Sequence, residues 1–279
     1  MVDWKLGVST ASCGKLDRDV FYAYAEAGIK AMEISLSPEM TDELDPKEVL
    51  KLSGETGVDV WSFHLPFYPF ETNNIASTDR EIREHSVLLQ AECIKKAAVT
   101  GAKVAVIHPS AEPNPDNERQ ERLKCAKASL AVLSRIAQQN GMLLAVEDLP
   151  RTCLGNTAEE MGELVSADEG LKVCFDTNHL LFGDNTEFVK ALGEKIVTVH
   201  ISDYDFTDER HWLPYEGKND WEKILTALGK TGYSGPFMYE VSLTDDPSDL
   251  KRPHTFSDYY KNYKKCMDRV KALGDDRLI

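Results

Sequence analysis

Short apolar runs alternate with longer amphipathic stretches along the whole chain. Each run is rich in β-branched residues and nearly continuous in its hydrophobicity, which is typical of parallel strands that are covered on both faces. Eight such strands are predicted, over residues 5–10, 31–36, 59–66, 103–110, 143–149, 172–178, 196–202 and 236–242.

Helix signals fill the segments between these runs. Three longer helices are predicted over residues 79–99, 119–139 and 257–273. Thr157, which begins a capping box, and Asp220 are expected to be the N-cap residues of two shorter helices. Gly28 and Gly57 are expected to end the first two helices of the chain.

The strict alternation of strands and helices predicts a parallel sheet, and eight units fit a closed (β/α)8 barrel. Such a barrel uses about 250 residues, which is nearly all of this chain of 279. The rival is a doubly wound open sheet, but the segment TASCGK after the first strand lacks the glycine-rich turn of dinucleotide-binding members. No break in composition divides the sequence, so residues 1–279 are predicted to form a single TIM-barrel domain of the α/β class.

Ionisable residues fall at or near the C-terminal ends of six successive predicted strands. They are His64, His108, Glu147, Asp176, His200 and Glu240. Side chains alternate between the two faces of a strand, so all six meet at one mouth of the barrel if their faces point inward. Burying several carboxylates together is costly unless a cation compensates them. Three carboxylates and an imidazole therefore predict a site for one divalent metal, Mn²⁺, Mg²⁺, Co²⁺ or Zn²⁺.

Two long loops, 67–78 and 203–219, leave the same end of the predicted barrel. Barrel enzymes build their active sites at that end. The aromatic residues Trp61, Phe67 and Trp212 lie in or near these loops and are candidates to form an apolar wall there.

Composition and charge limit the binding partners and the cellular compartments that are expected for this chain. The formal net charge of −15 counts mildly against a nucleic-acid partner. The six cysteines are far apart and form no C-x-x-C pair, which suits free thiols in a reducing compartment. Since no apolar run has the length of a membrane span, the expected location is the cytoplasm.

Five segments, in chain order, resemble the xylose-isomerase-like TIM-barrel superfamily of sugar isomerases and epimerases, which also includes endonuclease IV. They are AVEDL, CFDTNH, VHISD, ERHWLPYEGKNDW and YEVS. The D-x-x-H motif that begins at Asp176 and the H-x-x-D motif that begins at His200 are the most specific part of the likeness when they are taken together. The resemblance covers nearly all of the chain, from Glu33 to Glu240.

The resemblance implies roles for individual residues. One divalent metal would be bound by Glu147, Asp176, His200 and Glu240. Glu147 and Glu240 would also be the catalytic acid and base. Substrate oxygens would be contacted by His64, His108, His179 and Arg210, with Trp61 and Trp212 as aromatic walls. Glu33 matches a frequent glutamate of the second strand whose role is undefined.

These roles predict a divalent-metal-dependent isomerase or epimerase of a small sugar or keto-sugar, in which Glu147 and Glu240 transfer a proton and the metal stabilises the enediolate. Two departures from the family pattern stand out. Pro214-Tyr215-Glu216-Gly217 replaces the frequent P-G-x-G, so a different loop conformation is expected. Cys153 lies near the position of a second glutamate in keto-sugar 3-epimerases, which counts against that particular activity.

Alternatives remain open at this point. An endonuclease IV-like phosphodiesterase with three zinc ions would use the same residues together with Glu209 and His211, although Glu209 stands where that enzyme has aspartate. A dehydratase or lyase acting on a cyclitol or a keto-sugar would use the same site, and a non-catalytic binding barrel is a further reading. The expected partner is a small-molecule sugar, with no nucleic acid and no membrane. Barrels of this family often pair, so a homo-oligomer is an expectation alongside a monomer.

Overall fold

The eight predicted strands are all present in the computed structural model, which describes residues 3–241 and 254–275. The strands are β1 (Leu6–Ser9), β2 (Ala31–Ser35), β3 (Asp59–His64), β4 (Val104–Ile107), β5 (Leu143–Glu147), β6 (Leu171–Asp176), β7 (Ile196–His200) and β8 (Phe237–Tyr239). Each is shorter than its predicted run. Residue 242, the last of the eighth run, lies outside the described residues.

The strands form one parallel sheet in which sequence neighbours are also neighbours in space. β1 to β7 pair in chain order and β8 pairs with β1. Ile201, the residue after β7, closes the ring, because its backbone N–H donates to the carbonyl of Met238 at 2.8 Å and it forms a parallel bridge with Tyr239. The predicted (β/α)8 barrel is therefore confirmed.

Helices cover the outside of the sheet. They are α1 (Arg18–Glu26), α2 (Pro38–Glu43), α3 (Pro46–Thr56), α4 (Arg80–Val99), α5 (Arg119–Gln139), α6 (Ala158–Val165), α7 (Asn185–Leu192), α8 (Trp221–Lys230) and α9 (Phe256–Asp275). The sequence pattern did not predict α2 and α7. Gly57 consequently ends the third helix rather than the second, with a left-handed φ of 69° that suits glycine.

The helix caps follow the sequence signals. Asp79, Thr157 and Asp220 each accept a backbone N–H in the first turn of α4, α6 and α8. The capping box at Thr157 is only half formed, since the Glu160 carboxylate accepts the N–H of Gly155 instead of returning to the cap. In the part of the chain that the structure describes, no helix is both long and apolar enough to cross a membrane.

The barrel interior has an apolar lower layer and a charged upper layer. Val104, Val106, Ala145 and Cys174 form the lower layer, against which Trp61 and Val197 pack. The opposite faces of the same strands pack against the helices in the main hydrophobic core. The upper layer lies at the C-terminal ends of the strands.

Two irregularities in strand pairing decide which residues reach this upper layer. The register between β2 and β3 shifts so that Trp61 has no partner, and the register between β6 and β7 shifts so that Val197 has none. An extra residue inverts the alternation of faces beyond it. As a result, Phe63 and Val199 pack in the outer core, and the histidine that follows each of them turns into the barrel.

Candidate functional site

The four predicted metal ligands meet at the upper end of the barrel. Each of Glu147, Asp176, His200 and Glu240 offers a ligand atom that lies within 4.8 Å of those of the others. His200 is central, with its Nδ1 atom 2.7 Å from Glu147 Oε1, 3.1 Å from Glu240 Oε2 and 3.7 Å from Asp176 Oδ2. The side chain of Glu240 is 15% exposed, whereas the other three are at most 1% exposed.

Backbone carbonyls orient three further histidines of the site. The Nδ1 atoms of these rings lie 3.0 Å from the carbonyl oxygen of Leu65, 2.7 Å from that of Asp148 and 3.0 Å from that of Glu240. The rings belong to His64, His179 and His211, in that order. Because a carbonyl oxygen only accepts, each Nδ1 carries hydrogen, and each Nε2 atom is presented to the site.

The pKa values of two buried carboxyl groups of the site, Glu147 and Asp176, are shifted in opposite directions. Burial alone would raise the pKa of Glu147, but the neighbouring imidazoles of His200, His108 and His64 lower it well below 4.5. Burial raises the pKa of Asp176 well above 3.8, and the nearby carboxylate of Glu240 raises it further. One acidic group is thus favoured as the anion and its neighbour as the acid.

Two of the neighbouring histidines, His64 and His200, have raised pKa values. Burial disfavours the charged imidazole of His64, but its hydrogen bond to Glu147 raises the pKa to about 9. His200 behaves alike, because burial lowers its pKa while the acidic groups around it raise the pKa well above 6.5. Histidine cations therefore compensate the carboxylates in the absence of another positive charge.

A divalent cation fits this donor set. The Oδ2 atom of Asp176 is buried and accepts no hydrogen bond, whereas its Oδ1 accepts the N–H of Asn178 at 2.6 Å. An orphaned buried carboxylate oxygen costs free energy unless a donor or a cation meets it. Three carboxylates and one imidazole form a ligand set common to Mn²⁺, Mg²⁺, Co²⁺ and Zn²⁺.

Two further groups of ligand atoms flank the central four. His64 and His108 converge on Glu147, with their Nε2 atoms 3.0 and 3.2 Å from Oε2. On the other side His179, Glu209 and His211 form a second triad within the same distance limit as the central four. Since Nδ1 of His200 lies 2.7 Å from Oε1 of Glu147, both carboxylate oxygens of Glu147 contact imidazoles.

A cavity of about 200 Å³ opens above this layer. Glu147, Glu240, His64, His108, His179, Glu209 and His211 all line it. An aromatic cluster of Phe67, Tyr68 and Phe70 forms one wall, with Phe67 stacked on the ring of His108 at 4.3 Å between centroids. A larger groove, of about 760 Å³, lies between α7 and α8 and contains none of these residues.

Three predicted substrate contacts are not brought to this cavity. Trp61 lines a different cavity at the amino-terminal end of the strands, together with Leu143 and Ile196, because it lies near the start of β3, three residues before His64. Of the residues described, those that line the upper cavity do not include Arg210 or Trp212. Arg210 instead pairs with Asp205 within its own loop, with 3.1 Å between Nε and Oδ2.

Arg151, which the sequence analysis did not single out, lines this cavity. Its guanidinium forms a double hydrogen bond with Glu112, at 2.5 and 3.1 Å, and lies 2.9 Å from carboxylate oxygens of Asp208 and Glu209. These carboxylates raise the pKa of Arg151 further above its usual range. The sequence signal was available, since Arg151 follows β5 by only four residues.

The loop after β7 is built around the aspartate of the H-x-x-D motif. The buried carboxylate of Asp203 accepts five hydrogen bonds, from the backbone N–H groups of Tyr204, Tyr215, Gly217 and Asn219 and from the indole of Trp221, at 2.8 to 3.1 Å. A side chain at Gly217 would collide with the Tyr204 carbonyl and with Asp203. Tyr215 adopts the left-handed φ of 72°, so it takes the conformation that glycine favours in P-G-x-G.

Cys153 also lines the cavity. Burial raises the pKa of its thiol to about 12, so it is neutral near pH 7 and cannot act as a carboxylate would.

The chain is similar in sequence to proteins of one family. The profile of the family described as xylose isomerase-like TIM barrel matches residues 21–258. An uncharacterised protein of Methanocaldococcus jannaschii is 28% identical over 261 residues, which span 86% of this chain and 84% of that protein.

Solved structures show the same architecture. A D-tagatose 3-epimerase-like protein superposes with a TM-score of 0.82 at 23% identity and covers 98% of this chain and 99% of its own. The IolI protein, solved with a bound zinc atom, superposes with a TM-score of 0.76 at 20% identity and covers 96% of this chain and 98% of its own. At these identities the likeness establishes a shared fold.

Proposed function

The chain belongs to the xylose isomerase-like TIM-barrel family, and on that premise we propose that it is a divalent-metal-dependent isomerase or epimerase of a small sugar or keto-sugar. The observation that carries the proposal is the convergence of Glu147, Asp176, His200 and Glu240 within 4.8 Å at the base of a cavity. The epimerase-like and zinc-containing neighbours of the same fold support it.

The same four residues would hold the metal. A bound divalent cation supplies Lewis acidity, which stabilises the negative charge that develops on substrate oxygens during proton abstraction. His200 and Asp176 are buried beneath the cavity and suit a purely ligating role, whereas both glutamates also line the cavity.

Proton transfer is assigned to the two glutamates. Glu147 removes the proton from the carbon beside a carbonyl or hydroxyl group, and its carboxylate becomes the acid. Glu240 first takes up a proton from water and then donates it to the opposite face of that carbon in an epimerisation, or to the neighbouring carbon in an isomerisation, and Glu147 returns its proton to water. Their carboxylate oxygens are within 4.8 Å of each other, so a small substrate can contact both.

Substrate hydroxyls would be held by the histidines that line the cavity. His64 and His108 present Nε2 atoms near Glu147, and His179 presents its Nε2 atom near Asp176. The aromatic wall at Phe67 offers a surface for sugar C–H groups. Arg151 takes the place expected for Arg210 at the rim.

A panel of sugars in deuterated water with added Mn²⁺ tests this function. We expect one sugar to incorporate solvent deuterium at the reacting carbon, and Glu147→Gln and Glu240→Gln each to abolish the incorporation. Glu187→Gln, at an exposed glutamate of α7, is the control and should exchange at the wild-type rate. Full exchange in either mouth variant would remove that residue from the mechanism.

The two flanking ligand groups favour a second candidate, an endonuclease IV-like zinc phosphodiesterase with three ions. The group His64, His108 and Glu147 and the group His179, Glu209 and His211 would hold the additional ions. The acidic balance of the chain speaks against a DNA substrate. A content of three metals per chain with nicking of abasic DNA would establish this candidate, and one metal without nicking would exclude it.

A further inference from the structure

We infer that Glu33 is a positioning residue that orients His200 toward the metal site, an inference that rests on the proposed metal dependence. Glu33 lies on β2, on the side of the barrel that contributes no metal ligand, and it is fully buried. Glu33 is not one of the four residues that would bind the metal, so its place in the site needs a separate explanation.

The contacts of Glu33 are specific. Its Oε2 atom lies 3.0 Å from Nε2 of His200 and accepts the hydroxyl of Ser62 at 2.7 Å. A carboxylate at this position accepts the Nε2 hydrogen of His200, which leaves Nδ1 as the only ring nitrogen able to act as a ligand. Nδ1 is the atom that faces Glu147, Asp176 and Glu240.

His200 differs in this respect from the other oriented histidines. Backbone carbonyls hold His64, His179 and His211 through Nδ1, so these rings present Nε2. A side-chain carboxylate holds His200 through Nε2, so this ring presents Nδ1. An ionised acceptor makes the stronger hydrogen bond and raises the basicity of the ligating nitrogen, as is typical of carboxylate–histidine–metal groups.

Burying the Glu33 carboxylate costs free energy, so its contact with His200 calls for a functional explanation. The other oxygen of Glu33, Oε1, is buried and accepts no hydrogen bond. A partly satisfied carboxylate in the barrel interior is costly, and an apolar side chain there would pack at lower cost. The arrangement is accounted for when the carboxylate serves His200.

The test compares the affinity for Mn²⁺ and Zn²⁺ of the wild-type chain, Glu33→Met and Glu33→Gln, by competition with a chelator. Glu33→Met keeps the size of the side chain but removes the acceptor, and we expect metal affinity to fall by roughly 10- to 100-fold. Glu33→Gln keeps a neutral acceptor and should show a smaller loss.

The tautomer of His200 provides a readout that a purely structural role would not change. In ¹⁵N spectra of the zinc-loaded wild-type chain, His200 should carry its hydrogen on Nε2 and bind through Nδ1. In Glu33→Met that hydrogen should lose its hydrogen-bonded shift or the ring should change tautomer. Loss of the Ser62 hydroxyl, in Ser62→Ala, should leave the tautomer unchanged.

A control separates stability from positioning. Glu160→Gln removes a glutamate outside the barrel that pairs with Arg119 at 2.7 Å, and it should lower thermal stability without changing metal affinity. If the wild-type chain binds metal and Glu33→Met binds it equally well with the same tautomer, the positioning role is overturned while the proposed function stands. If the wild-type chain binds no metal, both fail.

Discussion

At the scale of single residues, Asp176 is the most informative side chain. One of its oxygens accepts a backbone N–H and the other is buried without a partner. We predict that Asp176→Asn lowers metal affinity at least tenfold, because a neutral amide replaces an anionic ligand. The metal-free variant should unfold at a temperature equal to or above that of the wild-type chain, since the raised pKa of Asp176 shows that its charge is disfavoured there.

Isothermal titration with Mn²⁺ and thermal unfolding check both parts of this prediction. Asp184→Asn, at the N-cap of α7, is the matched control and should bind metal normally. Unchanged affinity in Asp176→Asn would show that the orphaned oxygen does not face an ion.

A second prediction for a single residue concerns Arg151. Its replacement by glutamine removes the guanidinium that pairs with the carboxylates of Glu112 and Glu209 at the rim of the cavity. Because the guanidinium is 38% exposed, screening by water limits the loss, and we predict a KM raised roughly fivefold, equivalent to about 1 kcal/mol, with little change in kcat. Steady-state kinetics on the sugar found by the panel measures both, and Arg80→Gln on the exposed side of α4 is the control.

The central ligands could be found because each ends a strand, and a barrel brings such ends together. The sequence could not show that Trp61, Arg210 and Trp212 lie away from the lining of the upper cavity, because proximity along the chain to a strand end or a long loop says nothing about side-chain direction. Trp61 lies near the start of β3 and so in the lower layer, and Asp205 holds Arg210 within its loop.

At the scale of elements, the bulges in β3 and β7 place two of the histidines. Strict alternation from Val60 and Ile196, which pack in the outer core, would turn His64 and His200 outward. The additional residues, Trp61 and Val197, reverse this. A bulge depends on pairing with a neighbouring strand, so the pattern of one strand could not reveal it.

The loop after β7 carries an independent prediction. Asp203→Asn replaces an oxygen that accepts two or three of the five hydrogen bonds at this buried carboxylate. We expect the free energy of unfolding to fall by about 3 kcal/mol and amide exchange to quicken over residues 203–219, which include His211. Urea denaturation and hydrogen–deuterium exchange measure these changes.

Asp116→Asn, at an exposed aspartate before α5, should change neither quantity. Exchange that stays slow across the loop in Asp203→Asn would contradict the central role of this carboxylate.

At the scale of the whole molecule, closure of the barrel makes metal binding a property of the fold. The ligands come from four strands or strand ends that are distant in sequence, so an unfolded chain cannot present them together. A ligand that binds only the folded state stabilises it by about 2.7 kcal/mol at a hundred times its dissociation constant. We therefore predict that saturating Mn²⁺ raises the melting temperature by about 5 °C or more, and that EDTA reverses the shift.

Glu147→Gln should lose most of this thermal shift, whereas Glu187→Gln should retain it. An equal shift in both variants would mean that the metal stabilises the chain from another place.

The most direct measurement is anomalous diffraction from crystals of the Mn²⁺-loaded protein. We expect one strong anomalous peak among the oxygen atoms of Glu147, Asp176 and Glu240 and Nδ1 of His200. Additional peaks of equal strength at both flanking groups would favour the three-metal phosphodiesterase. If no peak lies among these four side chains, or if a peak is found only elsewhere, the proposed metal site is wrong.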